Sequence, residues 1–474
     1  MAQGDAEKVQ LPEARLKRTV VHPVPDSIKE IILEYMSEDD LNNPDRWRIP
    51  ENKRNYWEMW QSYLKSDVSG AFYNAVWTGN IRLVREMLYH HGDFMRSNGF
   101  ADIAVARTQN IEMVRMLLDA GFIFTGDDRR VRWDSEWLDR RKLYTALAIF
   151  AGQNDDPAVI QLLIDRGAEL TDFAVYQAAS NGKCENLRML LRAGGNARAR
   201  ENDSHKNTAL HAAAENGNAE YVALLLDYGA AEDIEAVETW RGWTPLLWAA
   251  HSGSDESVVL LLNAGANPEA VGKYGALALR EAVQAGSERS VQLLLNSSAV
   301  NTINMISENS PLNAVMEAAR KGHAGILRML IEKGGDVNMD SGKIQTLQDP
   351  NHMYHFTDIY TNGLTALMLA GTPECVKILL QSGADVNSQD SDGRNVLLFK
   401  CYFSSGDEIV SLLINAGSYL YLDRDGGRSL LRFAADNINR ERNEKAIALL
   451  KAAGCKDGDP NAQAEYSFYS YYAN

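Results

Sequence analysis

The chain has 474 residues, 45% hydrophobic and 24% charged, and its 64 acidic side chains outnumber 48 basic ones for a net charge of −16. That balance argues against nucleic acid as a partner, because binders of phosphate backbones carry a basic footprint. Cys184, Cys375, Cys401 and Cys455 are scattered, with no CxxC pair. Neither a zinc site nor a disulfide framework is therefore expected, nor any other metal or cofactor. Free thiols fit a reducing compartment, cytoplasmic or nuclear. No apolar stretch approaches the roughly 20 residues of a membrane span, and no secretory leader is visible, so no membrane is expected as partner.

Residues 1–24 are charged, contain Pro12 and Pro23, and read as a flexible arm. Asp26 and Ser27 then offer a helix cap ahead of Ile28, Ile31, Ile32, Tyr35 and Met36, which share one face. After a turn at Asn42-Asn43-Pro44, a second helix over about 51–65 carries Tyr56, Trp57, Trp60, Tyr63 and Leu64. This pair, within 25–67, stands outside the repeat that follows and is expected to cover its first unit, since a solenoid end exposes core. The opening Val24-Pro25-Asp26-Ser27-Ile28 resembles an F-box start over one helix. That resemblance implies a ubiquitin-ligase adaptor as a third functional reading.

From 68 to 456 the chain repeats a sentence. NTALHAAAENGNAEYVALLLDYGA over 207–230 returns as TPLLWAAHSGSDESVVLLLNAGA over 244–266, and Gly363-Leu364-Thr365-Ala366-Leu367 opens another copy that closes at Gly383-Ala384-Asp385-Val386-Asn387. Weaker copies begin near 70, 100, 143, 173, 275, 312, 393 and 427. A unit of about 33 residues cannot bury its own apolar face, so neighbours must stack. Thr244-Pro245 starts a first helix, with proline where its missing N–H costs nothing. Ala213-Ala214 and Ala249-Ala250 let helices approach closely. Leucine pairs fill the space between units, and Gly229, Gly265 and Gly383 stop the second helix in a left-handed turn. These copies resemble ankyrin repeats. The resemblance implies an all-α solenoid of about eleven stacked helix–turn–helix units, used chiefly as a protein-binding surface.

Two stretches break the period, 122–142 and 339–362, and are expected to lengthen hairpin fingers beside the concave groove. In the first, Arg129, Arg130, Arg132, Arg140, Arg141 and Lys142 alternate with Asp127, Asp128, Asp134, Glu136 and Asp139, which reads as a self-neutralising surface helix. In the second, His352 and His355 lie near Asp349 and Asp358 without the spacing of a zinc set, and read as exposed loop residues. The tail, 457–474, ends in an aromatic run, Tyr466-Ser467-Phe468-Tyr469-Ser470-Tyr471-Tyr472, expected to dock on the last repeat.

In ankyrin arrays the residue just before the alanine pair lies toward the groove. Here that position gives Asn74, Ala104, Ile149, Gln177, Ala212, Trp248, Glu281, Glu317, Leu369, Phe399 and Phe433. Trp240, Arg241 and Trp243 precede Trp248, His251 follows it by about a turn, and Glu215, Arg280, Arg320 and Lys321 add charge. Aromatic anchors within a polar rim are what a binding hot spot needs. The predicted binding residues are therefore Trp240, Arg241, Trp243, Trp248, His251, Glu281 and Glu317. His211 takes the family's histidine position, where the side chain bonds loop backbone. His251 and His323 lie at less constrained positions, and histidine is a common acid or base, but no nucleophile–base pair, phosphate loop or dinucleotide fingerprint accompanies them. The sequence therefore reads as a binding protein rather than an enzyme. A scaffold or adaptor with a protein partner in the groove is the first reading. The alternative is a pocket for a small apolar ligand, catalytic or not, closed by the two long fingers.

Overall fold

The computed structural model describes residues 79–97, 110–120, 151–152, 156–201, 206–306, 311–342, 363–402, 407–420 and 440–455, omitting the single positions 169, 182 and 392 and adding 72, 75, 76 and 431. The expected arm (1–24), capping pair (25–67), finger 122–142, most of finger 339–362 and the tail (457–474) lie outside the described residues. So do Asn74, Ala104, Ile149 and Phe433. Among the described residues the elements are helical, and no helix is long and apolar enough to cross a membrane. The chain divides into two compact units, Met1–Asp203 and Ser204–Asn474.

Among the described residues of the first unit the helices described end to end are α1 (Ile81–Ser97), α2 (Ile111–Asp119), α3 (Pro157–Asp165), α4 (Asp172–Ser180) and α5 (Cys184–Arg192). Their starts follow local chemistry. Asn110 accepts from the N–H groups of Glu112 and Met113, Asp156 from Ala158, and Thr171 from Ala174, so donors that a helix leaves orphaned are satisfied. Met113, Val114 and Leu117 of α2 and Val159, Ile160 and Leu163 of α3 are buried, and Arg166 reaches Asp119 at 2.7 Å between these helices.

Among its described residues the second unit holds six helix pairs and a final helix. The first helices are α6 (Ala209–Glu215), α8 (Pro245–Ser252), α10 (Ala278–Ala285), α12 (Ala314–Lys321), α14 (Ala366–Leu369) and α16 (Val396–Tyr402). Alternating with them are the second helices α7 (Ala219–Asp227), α9 (Asp255–Asn263), α11 (Glu288–Leu295), α13 (Ala324–Glu332), α15 (Pro373–Gln381) and α17 (Asp407–Asn415), followed by α18 (Arg440–Ala452). Each first helix packs on the next first helix and each second helix on the next second helix, which gives two layers with the leucines between them. Leu210, Leu246, Leu279, Leu225, Leu261 and Leu294 are essentially unexposed, as are the alanine pairs 213–214 and 249–250. The stopping glycines behave as the spacing predicts: Gly229, Gly265 and Gly383 have φ of 99°, 94° and 85°.

Beyond the core, polar contacts join neighbouring loops. Asn304 donates to the Gly334 carbonyl at 3.0 Å and accepts from Asp336 N–H at 2.8 Å. Asn338 does the same to Gly383 and Asp385, and Asn387 to Gly417 and Tyr419. Between helices, Asp255 takes hydrogen bonds from the Ser287 hydroxyl and from Ser290 N–H and Oγ, capping α11 from the preceding repeat. Burial acts to raise the Asp255 pKa, but these bonds and nearby Arg289 leave it below the ordinary carboxylate value. At the ends of the second insertion, Ser341 N–H bonds Leu364 O, Gly363 N–H bonds Gly342 O, and Asp340 bridges Thr365. That neck resembles the shorter ones at Val271–Leu277 and Gln389–Asn395.

Candidate functional site

Five of the seven predicted site residues come from two adjacent elements, the loop before α8 (Trp240, Arg241, Trp243) and α8 itself (Trp248, His251), while Glu281 lies on α10 and Glu317 on α12. Thr244 and Pro245 open α8, which places Trp248 on its second turn and His251 about one turn later. The loop is shaped by Glu238, which is 2% exposed and which the sequence reading overlooked. Its carboxylate accepts from the N–H groups of Trp240, Arg241 (2.6 Å) and Trp243 (3.1 Å). One acidic side chain thus folds the segment Trp240–Trp243 around itself. The available signal was an acid placed two to five residues ahead of three N–H groups in a loop.

These constraints bring the aromatic residues together. The Trp243 and Trp248 rings lie 4.7 Å apart, edge to face, and His251 stands 5.1 Å from Trp243 and 6.2 Å from Trp248. The Arg241 guanidinium lies 4.5, 4.7 and 5.1 Å from the ring centres of Trp240, Trp243 and Trp248. A cation over indole faces is electrostatically favourable, more so when it is desolvated. Trp240 is 55% exposed, whereas Trp243 and Trp248 are 3% and 6% exposed. Arg241 Nη1 and Trp248 Nε1 are buried without a hydrogen-bond acceptor within the protein.

The remaining predicted residues are divided. His251 Nδ1 pairs with Glu281 Oε2 at 2.9 Å, joining α8 to α10. Glu317 is not part of that pair; it bonds Arg320 on its own helix. Where the resemblance implies a groove-facing ladder, the second unit has nearly closed positions, Ala212, Trp248, Glu281, Glu317, Leu369 and Phe399 being each 6% exposed or less, while Gln177 in the first unit is half-buried. The accessible positions are further along the first helices α6, α8 and α12, at Glu215, His251, Ser252 and Lys321. The reason is packing. In α6, α8 and α12 the residue before the alanine pair is covered, whereas residues that follow the pair are left open.

Two histidine expectations separate as well. His211 bonds its own cap, Thr208, at 2.7 Å and the Trp243 carbonyl at 3.1 Å, the structural role expected of it. Arg280 holds the matching position in its repeat and donates to Leu312 O at 3.4 Å, so guanidinium replaces imidazole there. His323 Nε2 is buried without a partner. Thiol chemistry finds no support in the environments of two of the four free cysteines. Burial raises the Cys375 pKa, and burial with nearby Cys455 pushes Cys401 to about 12. Among the described residues no cluster of three His, Cys, Asp or Glu side chains is placed to hold a metal.

A pattern described as Ankyrin repeats matches the chain in three copies, over 175–272, 279–390 and 365–464. Ankyrin repeat domain-containing protein SAT10 of Stachybotrys chartarum is 32% identical over 248 residues, which are 51% of this chain and 11% of that protein. The B-cell lymphoma 3 protein homolog of Mus musculus is 31% identical over 203 residues, 40% of this chain and 44% of that one. The matched region thus spans less than half the length of either relative. The solved human ASB11 ankyrin repeat domain aligns with a TM-score of 0.41 at 23% identity, over 52% of this chain and 98% of that one.

Proposed function

The chain belongs to the ankyrin-repeat family, and on that premise we propose that it is a scaffold or adaptor whose groove around α8 and α10 holds a protein partner. Ankyrin repeats are in general protein-interaction modules. The observation that carries the finer reading is the partial exposure of one cluster: Trp240 is 55% exposed and the His251 side chain 39%, beside the buried Trp243–Trp248 pair. A large ring open on one side and seated on a rigid base is what an interface anchor needs, because little freedom remains to be lost on binding. Trp240, Arg241 and His251 meet the partner in this reading. Trp243, Trp248 and Glu281 hold them in place, and Glu317 belongs to the next repeat's wall. The compartment is the cytoplasm or nucleus, in keeping with four cysteines that form no disulfide.

The test is capture from native extract with the intact chain and with a Trp240→Ala/His251→Ala variant. Both changes fall on accessible side chains, and circular dichroism checks that the fold survives loss of the His251–Glu281 pair. The expected result is a protein retained by the intact chain and lost with the variant. A small molecule lost instead, with no protein, would favour the ligand-pocket alternative. Identical retention by both would remove the groove assignment.

A further inference from the structure

The three indoles around Arg241 form a box for a cation, and the cation now inside it belongs to the chain itself. We propose that this box is a subsite for an alkylated ammonium group, the side chain of a methylated lysine in a protein partner, and that Arg241 is an internal stand-in which the partner displaces. The inference rests on the groove reading above and names the chemistry recognised there.

Three observations carry it. The guanidinium carbon lies within 4.5–5.1 Å of three ring centres contributed by two elements, the loop (Trp240, Trp243) and α8 (Trp248). Arg241 Nη1 is buried and has no acceptor, so the box presents π-faces but no oxygen to receive that N–H. Trp248 is 6% exposed, and its own Nε1 is likewise buried and unmet. A cation with several N–H donors is badly served there, as Arg241 shows. One whose donors are replaced by methyl groups keeps the attraction to the rings and leaves no donor unmet.

The box also has an openable side. Trp240 is 55% exposed and lies in the loop, as does Arg241, so the arginine side chain can leave toward solvent while Trp243 and Trp248 stay anchored. Acidic surroundings suit a cationic partner: residues 206–306 carry twelve acidic side chains against five basic ones. Among the box residues Arg241 supplies the positive charge, and an incoming ammonium replaces it.

The experiment titrates the intact chain, Arg241→Ala, Arg241→Gln and Trp240→Ala with three probes. These are a short peptide bearing trimethyllysine, the same peptide with unmodified lysine, and choline. Binding is read by calorimetry and tryptophan fluorescence, and folding by circular dichroism. The expected result is a preference for trimethyllysine over lysine of about tenfold. Both arginine variants tighten binding by about tenfold as the competitor is removed, and Trp240→Ala abolishes it. Equal binding of the two peptides, or no tightening in either folded arginine variant, would overturn the proposal. Choline binding as tightly as the trimethyllysine peptide would overturn its assignment to a protein side chain. A chain that ignores all three probes yet still loses its captured partner on Trp240→Ala/His251→Ala would sink the cation box and leave the groove reading standing. Loss of no partner in that capture would remove the groove reading itself.

Discussion

The repeat built on α8 and α9 and the one built on α14 and α15 start alike, with threonine ahead of an apolar turn, yet they solve the same packing problem in opposite ways. In the first, an eight-residue helix carries Ala249 and Ala250, both 0% exposed, and the neighbouring helices close on them. In the second, the first helix lasts four residues and the chain leaves it at Ala370, with φ −53° and ψ 116°. Gly371 N–H then bonds Ala319 O of the preceding repeat at 2.9 Å, and a side chain on Gly371 would meet Arg320 O at 3.0 Å. The following repeat fills the gap. Where others have the first alanine of the pair, it has Lys400, 4% exposed, whose Nζ donates to Ala370 O at 2.5 Å. A solenoid can therefore lose a turn in one unit and recover the lost contact from the next. The remedy costs stability: burial lowers the Lys400 pKa from 10.5 to about 7.

The largest effect is expected where the aromatic joint is complete. Trp243→Ala should remove about 3–5 kcal/mol in chemical denaturation, because it opens a cavity beneath Trp248 and His251. A loss under about 1 kcal/mol would show that Arg241, not Trp243, organises the cluster.

At the lysine joint the sign reverses. The folded Lys400 pKa lies below its unfolded value, so the unfolded chain binds the extra proton between about pH 7 and 10.5, and stability rises with pH across that window. Lys400→Met should therefore stabilise the protein by about 2 kcal/mol at pH 7 and below, after allowance for the lost bond to Ala370 O. The gain should shrink as pH climbs toward 10.5. A pH-independent difference, or a loss, would mean that the amine is not held as described.

The smallest effect belongs to the loops that run past both joints. Asn338→Ala removes two bonds, to Gly383 O and from Asp385 N–H, and should cost about 1 kcal/mol. Hydrogen exchange at Asp385 is the sharper readout, and unchanged protection there would show that water replaces the asparagine without loss.

Much of the fold was legible from residue order. Thr244 and Pro245 start a first helix as their order predicts, and the glycines after the leucine pairs take left-handed backbone. His211 was legible too, because its partner is the backbone of the next repeat, which every unit supplies. The site was less so. Trp240, Trp243, Trp248 and His251 could be gathered from spacing, but Glu238 was invisible: its role depends on the loop closing so that three N–H groups face one carboxylate. Lys400 was equally silent, since its place exists only because α14 stops early in another repeat.

The sequence by itself determined the period, the start and stop of each described helix in the well-matched repeats, and the all-α class. These are choices made within one turn of the chain, by caps, glycines and small residues. Only the tertiary structure decided which groove side chains meet solvent. Trp248, Glu281 and Glu317 are closed, while Trp240 and His251 are open. A side chain's exposure in a solenoid is set by what the neighbouring repeat lays over it, about 33 residues away along the chain.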